Sequence, residues 1–468
     1  MPNFVENIAS FLPIRALNCF AADPTPLSSP ASGSFEAAVL FADISGFTAL
    51  TERLAQKGAV GVEELTTHLN AYFGQLIELI LAHGGDIVKF AGDAMLAIWP
   101  AESFSLDQAT YCAAQCALAI LNDLGEYQAA DAQLRLHIGI GAGELKEFYI
   151  GGMSGKWEYV VAGEPISQVA LAETAAGIGE VCLSLPAWEL IKEHFVGKLL
   201  DENVVRLEGF NFLSSVADRR FLNVGKSGSL VIYDGMRKRL ERYVSLGVLQ
   251  RLEAGQTDWL GDLRRVSVMF LNLPGMDYGA EGALSFVSET INVIQNTLQV
   301  YEGTLNKFLV DDKGSTLVIG FGLPPFSHED DPLRCVMAGM VLLEKLRGLG
   351  LEPKIGITSG TCYSGVIGSE QRREYTIIGA VVNLSARLMQ AAKNGILCDA
   401  KTFEITKDRI QFESLIAIKV KGREDAVTVF SPISELRKDL PWWMAEKGVK
   451  SIVGREKERL LLKNKLED

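Results

Sequence analysis

Residues 39–48 read VLFADISGFT and residues 268–277 read VMFLNLPGMD, and the likeness recurs three more times in the same order. IVKFAGDAMLAIW (87–99) pairs with LNKFLVDDKGSTLVIGF (305–321), HIGIGAG (137–143) with KIGITSG (354–360), and EYVVAGEPIS (158–167) with EYTIIGAVVN (374–383). The offset narrows from 229 residues (Gly46 to Gly275) to 216 (Glu158 to Glu374). Four ordered anchors with small insertions predict a tandem duplication of one fold.

Each copy has the same internal order. In the first, an apolar run ending at Asp43 reads as a strand, and Leu65, Leu69, Tyr72, Phe73, Leu76, Ile77 and Ile80 recur at a spacing close to one helical turn. Two short strands joined at Gly92-Asp93, a helix over 106–124 and a strand over 134–141 complete a βαββαβ series. The expected class is α+β: two ferredoxin-like sheets with helices on one face, packed as an intramolecular pseudo-dimer.

The expected divisions are an N-terminal segment and linker (1–34), a first domain (35–225), a connecting helix (226–263), a second domain (264–435) and a tail (436–468). Residues 21–34 (AADPTPLSSPASGS) have loop composition, and the Arg and Lys residues of 236–254 suit a solvated helix face.

The 468-residue chain has 45 basic and 58 acidic residues, a formal charge of −13, and 48% hydrophobic residues. That is the balance of a globular protein, and its acidity argues against a surface that coats nucleic acid, while a nucleotide needs only a local cationic pocket. The seven cysteines are scattered in apolar runs and read as buried thiols of a reducing compartment. The five histidines are too dispersed to join them in a thiolate metal site. No apolar run reaches membrane-spanning length and the start lacks a basic leader, so the expected location is cytoplasmic, with no membrane partner.

Asp43 ends a strand and is followed by Ser45, Gly46, Phe47 and Thr48, a turn entering a helix. A carboxylate there lies beside free helix N–H groups, where a phosphate and its metal would sit; a turn or capping role fits the same residue. Asp93 follows Gly92 in a hairpin, where turn chemistry also accounts for it. Adjacent antiparallel strands could bring both carboxylates to one edge, an oxygen set suited to two Mg2+ ions. The copies divide their charges. Asp43 has Asn272 as its counterpart, while Asn383 and Arg387 of the second copy replace Ser167 and Leu171 of the first. One composite site between the copies, with a degenerate twin, explains that division.

FADISGFT, GGDIVKFAGDAM and EYTIIGAVVNLSAR resemble the class III nucleotidyl cyclases, and the tandem arrangement is most similar to the catalytic pair of the bicarbonate-responsive soluble adenylyl cyclases. The likeness covers about residues 35–435. It implies two cyclase homology domains making cyclic AMP and pyrophosphate from ATP, with two Mg2+ or Mn2+ ions held by Asp43, Asp93 and the Ile44 carbonyl. It assigns the ribose to Asn383, charge on the α-phosphate to Arg387, the adenine edge to Lys307 and Thr376, and triphosphate contacts to Gly46, Phe47, Thr48 and Lys421. The guanylyl members resemble Glu and Cys at the positions of Lys307 and Thr376, so ATP is expected over GTP.

Two departures stand out. His137 falls where the soluble branch has a phosphate-side Lys; a strand histidine packed against the core fits as well. Ala170 falls where the animal enzyme has a bicarbonate-responsive Arg, although Lys89 and Val161 of that regulatory pseudo-site are kept. A monomer should suffice, since both halves share one polypeptide. VGREKERLLL (453–462) resembles the entry to signal-transduction ATPase domains, which implies a downstream regulatory ATPase region. The alternative function is an ATP-sensing module with weak or no catalysis.

Overall fold

The computed structural model describes residues 4–46, 50, 53–54, 57, 59–92, 94–102, 104–129, 132–211, 232–256, 261–311, 314–419 and 426–436. The first copy runs β1 (Ala31–Ser45), α3 (Ala59–Ala82), β2 (Asp86–Ala91), β3 (Ala94–Pro100), α4 (Leu106–Leu124), β4 (Tyr127–Ala129) and β5 (Ala132–Gly151), preceded by α1 (Phe4–Ala9) and α2 (Ile14–Ala22). It continues as β6 (Trp157–Ala162), α5 (Glu164–Ala175), β7 (Val181–Ser184), α6 (Leu185–Ile191), β8 (Phe195–Leu199) and β9 (Val204–Phe210). Its sheet order is β2-β3-β1-β5-β7-β9-β8, with β4 and β6 paired to β5. The order β2-β3-β1-β5 is the expected βαββαβ arrangement.

Two short helices, α7 (Arg237–Leu240) and α8 (Leu246–Glu253), lead to the second copy. It comprises β10 (Asp262–Leu273), α9 (Ala283–Tyr301), β11 (Thr304–Asp311), β12 (Gly314–Phe321), α10 (Asp331–Gly348), β13 (Lys354–Gly368), β14 (Arg373–Ile378) and α11 (Ala380–Ala391). It ends with β15 (Ile396–Asp399), α12 (Ala400–Thr406), β16 (Ile410–Ser414) and β17 (Val429–Glu435). Its order β11-β12-β10-β13-β15-β17-β16 repeats the first strand for strand.

Helices occupy both faces of the first sheet, not one as expected. Ala38, Leu40 and Ala42 of β1 face the core built on α3 and α4, whereas Phe35, Ala37 and Val39 join Ile166 and Val169 of α5 and the N-terminal helices on the other side. Both parities of β1 are apolar, so neither face could be left to water. Three further readings are corrected. β1 begins at Ala31, so the loop is shorter than 21–34; β5 extends to Gly151, beyond the expected 141; and the connecting helix is broken between α7 and α8. The basic residues there are not simply a solvated face: Arg239 is buried over the Phe20 ring and donates to the carbonyls of Asp23 and Thr25.

The copies exchange arms. Phe148, Ile150, Val160 and Ala162, from β5 and β6, join the core of the second copy, while Tyr363, Ile367 and Ile378, from β13 and β14, join that of the first. Reciprocal apolar burial makes the pair one packed unit. Among the described residues no helix is long and apolar enough to cross a membrane, and the cysteines are free, six of them buried.

The N-terminal helices are tied down by charge. Buried Arg15 forms a two-pronged pair with Glu147, at 2.9 and 2.8 Å, while Asp86 accepts from the Ile14 and Arg15 amides. Removing one partner of a buried pair leaves the other uncompensated, so Arg15→Met should cost about 3 kcal/mol, read by chemical denaturation.

Candidate functional site

The carboxylate end of the site is set by strand register. Ala42 pairs with Met95 on β3, and Asp43, one residue on, pairs with His137 on β5. Ala91 and Ala94 pair at the end of the β2-β3 hairpin, so the turn between them opens beside Asp43. Asp93, Phe47, Thr48 and Lys421 lie outside the described residues.

Asp43 is half-buried; its Oδ1 accepts from the Ile44 amide at 2.9 Å and its Oδ2 lies 3.1 Å from His137 Nε2. That nitrogen is also 2.7 Å from Oε1 of Glu173 on α5. Gly139 makes the approach possible: a Cβ there would lie 2.5 Å from the Val169 carbonyl oxygen and 2.6 Å from the Glu173 amide nitrogen. Hydrogen bonds to Asp43, then to Glu173, favour the imidazolium and push His137 up to about 9. His137 is therefore a partner of the predicted ligand carboxylate, not a histidine packed only against the core. Among the described residues these three are the one His, Cys, Asp or Glu group close enough to share an ion. Ile44 buries its side chain, and Gly46 turns with φ +96°.

The twin end is chemically closed. Asn272 pairs with Lys354 across β13, as Asp43 does with His137, but it is buried and donates to Thr316 Oγ1 at 3.1 Å and the Ser315 carbonyl at 3.5 Å. Gly356 brings α11 onto β13 with Met389 at the position of Glu173. The second copy thus holds no carboxylate at either counterpart.

Lys307, on β11, reaches across to the first copy. Its side chain is 4% exposed, and its Nζ donates to the Phe90 carbonyl at 2.8 Å and lies 3.3 Å from Glu374 Oε1. Glu374 Oε2 accepts from the Phe90 amide at 3.1 Å. Arg372 donates to the Ile87 and Val88 carbonyls at 2.9 and 3.1 Å. The second copy thereby grips the free edge of β2, the strand that leads into the Gly92-Asp93 turn. Thr376, two residues beyond Glu374, is fully buried and its hydroxyl has no hydrogen-bond partner. Such an orphan costs stability unless a ligand completes it.

Asn383 and Arg387 stand one turn apart on α11; Asn383 is exposed, and Arg387 makes a long contact of 3.4 Å to Gln390. The buried face of α11 is Val382, Leu384, Ser385, Leu388 and Met389, so both polar residues project away from their own sheet. In the other pseudo-site Lys89 is half-buried on β2, Val161 is buried and Ala170 is half-buried on α5. Sequence reasoning missed Glu173, Glu374 and Arg372. The Glu-Tyr dipeptide present in both copies, Glu158-Tyr159 and Glu374-Tyr375, was the available signal for the second of these.

A raised histidine pKa gives stability that is fully present below the unfolded value, about 6.5, and lost as pH rises through about 9. Metal-free protein should therefore lose thermal stability between pH 7 and 10 relative to His137→Gln, whose melting curve should lack that component.

The Adenylate and Guanylate cyclase catalytic domain family matches the chain twice, over residues 31–212 and 264–431. Adenylate cyclase type 10 of Oryctolagus cuniculus is 28% identical over 404 residues, 80% of this chain and 25% of that protein. The Homo sapiens form is 29% identical over 397 residues, 79% of this chain and 24% of its own length. The chain spans about a quarter of the length of these curated relatives. A class III adenylyl cyclase-like ATP-binding protein from Pseudomonas aeruginosa shares the fold, with a TM-score of 0.53 at 12% identity, covering 84% of this chain and 92% of that one. The two family matches take in well over half of the sequence and coincide with the two sheets: the chain belongs to the adenylate and guanylate cyclase catalytic domain family, as a tandem pair of its domains.

Proposed function

We propose that this protein is an adenylyl cyclase with one composite site between its copies. The observation that carries the reading is the asymmetry of the two ends: Asp43 stays half-open beside the β2-β3 turn, while its twin Asn272 is buried in hydrogen bonds. Lys307 reaches β2 from the second copy, and Thr376 lies two residues beyond Glu374, which also binds that strand.

In this reading Lys307 donates to adenine N1 and the oxygen of the orphan Thr376 hydroxyl accepts from the N6 amino group, favouring ATP over GTP. Lys307 is held for that task by Glu374 and the Phe90 carbonyl, so little rotamer freedom is lost on binding. Asn383 orients the ribose. Arg387 meets the charge that grows on the α-phosphate as the 3'-oxygen attacks and pyrophosphate leaves. A guanidinium aimed at charge that develops only in the transition state raises the rate more than the affinity. His137 occupies the phosphate side, and Gly46, Phe47, Thr48 and Lys421 are assigned to the triphosphate. Asp43, Asp93 and the Ile44 carbonyl would supply the oxygen ligands for two Mg2+ or Mn2+ ions, which would lower the 3'-hydroxyl pKa and neutralise triphosphate charge. A single chain in the cytoplasm should be sufficient, and a longer parent chain could carry the regulatory ATPase region.

Incubation with ATP and Mn2+ should yield cyclic AMP, with GTP a poor substitute. Arg387→Ala should lower kcat by about 100- to 1,000-fold with a smaller change in KM. Asp93→Ala should abolish turnover; activity surviving that change refutes the metal assignment, and ATP binding without any cyclic AMP would identify a sensor. Activity confined to a dimeric fraction in size-exclusion chromatography would contradict the single-chain site. Because Ala170 lacks a guanidinium, bicarbonate titrated into the assay should give little stimulation; a several-fold rise would overturn that expectation.

A further inference from the structure

A cavity of about 460 Å³ lies between the copies, where the two free strand edges face each other. β2 and β11 each carry a bulge at the same place, at Val88 and at Asn306, and both bulge residues line the cavity. So do both members of the twin pairs Lys156 and Arg372, and Glu158 and Glu374. The cavity thus sits on the pseudo-twofold axis. Its remaining walls are the turn at 11–13, the connector at 242–248 and α9.

The twins have diverged around it. Arg372 is spent on the β2 carbonyls, but Lys156 is turned to the connector, donating to the carbonyls of Glu241 and Val244 at 3.1 and 2.7 Å. Arg242 donates to the Leu27 carbonyl at 3.0 Å, and Lys89 acts electrostatically on Glu158. Lys156, Arg242, Arg372 and Glu374 thus have hydrogen-bond or ion-pair partners, and the charges of Lys89 and Glu158 offset each other. Four neutral polar atoms of lining residues lack partners: Trp157 Nε1, Tyr243 Oη, Gln295 Oε1 and Asn306 Oδ1 are buried without a hydrogen bond. One donor, two acceptors and a hydroxyl that can do either, among aromatic and aliphatic walls, define a complementary occupant.

We infer that this cavity is a second ligand site, for an uncharged ring-bearing small molecule that carries both hydrogen-bond donors and an acceptor. Its occupant would bear on the nucleotide end through a shared residue, because Glu374 lines the cavity and also holds Lys307. Binding at the two places is therefore coupled, and coupling is reciprocal.

The test uses the full chain and needs no turnover, so it succeeds or fails independently of the cyclase reading. Ligand-observed NMR is run with a library of neutral aromatic amides and lactams, alongside matched aromatic carboxylates and amines. Neutral members should bind, Gln295→Leu should weaken them at least tenfold, and Gln299→Trp at the exposed rim should exclude them. A saturating neutral member should shift the Kd of α,β-methylene-ATP at least threefold, and the ATP analogue should shift that of the fragment by the same factor. The site is refuted if no neutral member responds to both substitutions. Equal binding of the charged members refutes the ligand class. An unchanged Kd for the ATP analogue refutes the coupling through Glu374.

Discussion

A lysine side chain that is 4% exposed has to be paired, and Lys307 finds partners where the two copies meet. The Glu374 carboxylate comes from its own copy and the Phe90 carbonyl from the other, so satisfying one buried charge fixes β11 and β14 against β2. β2 ends the first sheet, and its outward carbonyls at Ile87, Val88 and Phe90 would otherwise form an open edge. Lys307 and Arg372 close that edge with side chains in place of another strand, which protects it from pairing with other molecules. The contact that stabilises the pair is thus also the one that sets the position of the lysine proposed to read the base.

Fixing that contact gives the two ends of the interface different fates. At the end of β1, Asp43 leans on His137 and Glu173 and stays half-open; at the matching end of β10, Asn272 is consumed by Thr316 and Ser315. A carboxylate at the second position would be buried against the Ser315 carbonyl, which cannot donate to it. An amide avoids that cost because it can donate as well as accept. Loss of charge from the twin follows from its burial, and open space at one end is what chemistry with a triphosphate requires.

Much of this was legible in the sequence. The four repeated anchors gave the duplication, and the spacing from Leu65 to Ile80 marked the buried face of α3, with all seven of the residues that carry it in the first core. Asp43 was singled out as the carboxylate ending a strand before a polar turn, and Lys307 and Thr376 through the resemblance to the cyclases. What stayed hidden were groups whose role depends on tertiary approach. Glu173 is an ordinary helix carboxylate until Gly139 lets α5 descend on β5, and Glu374 resembles a strand-edge acid until the other copy supplies Phe90. Helices on the second face of the sheet were missed for a related reason: a strand with apolar residues at both parities says that two layers cover it, without saying which.

Fusion of the copies explains why the cavity exists on one side of the axis only as a variant of what exists on the other. In a dimer of identical chains, whatever caps one edge strand caps its mate. Here the position of Arg372 is filled by Lys156, and the shorter, more compact cation turns to the connector carbonyls at Glu241 and Val244 instead of across the gap. That connector belongs only to a fused chain, and it closes the space together with the N-terminal turn. The same event that allowed one catalytic end to be lost therefore supplied both the opening at the axis and the segments that wall it.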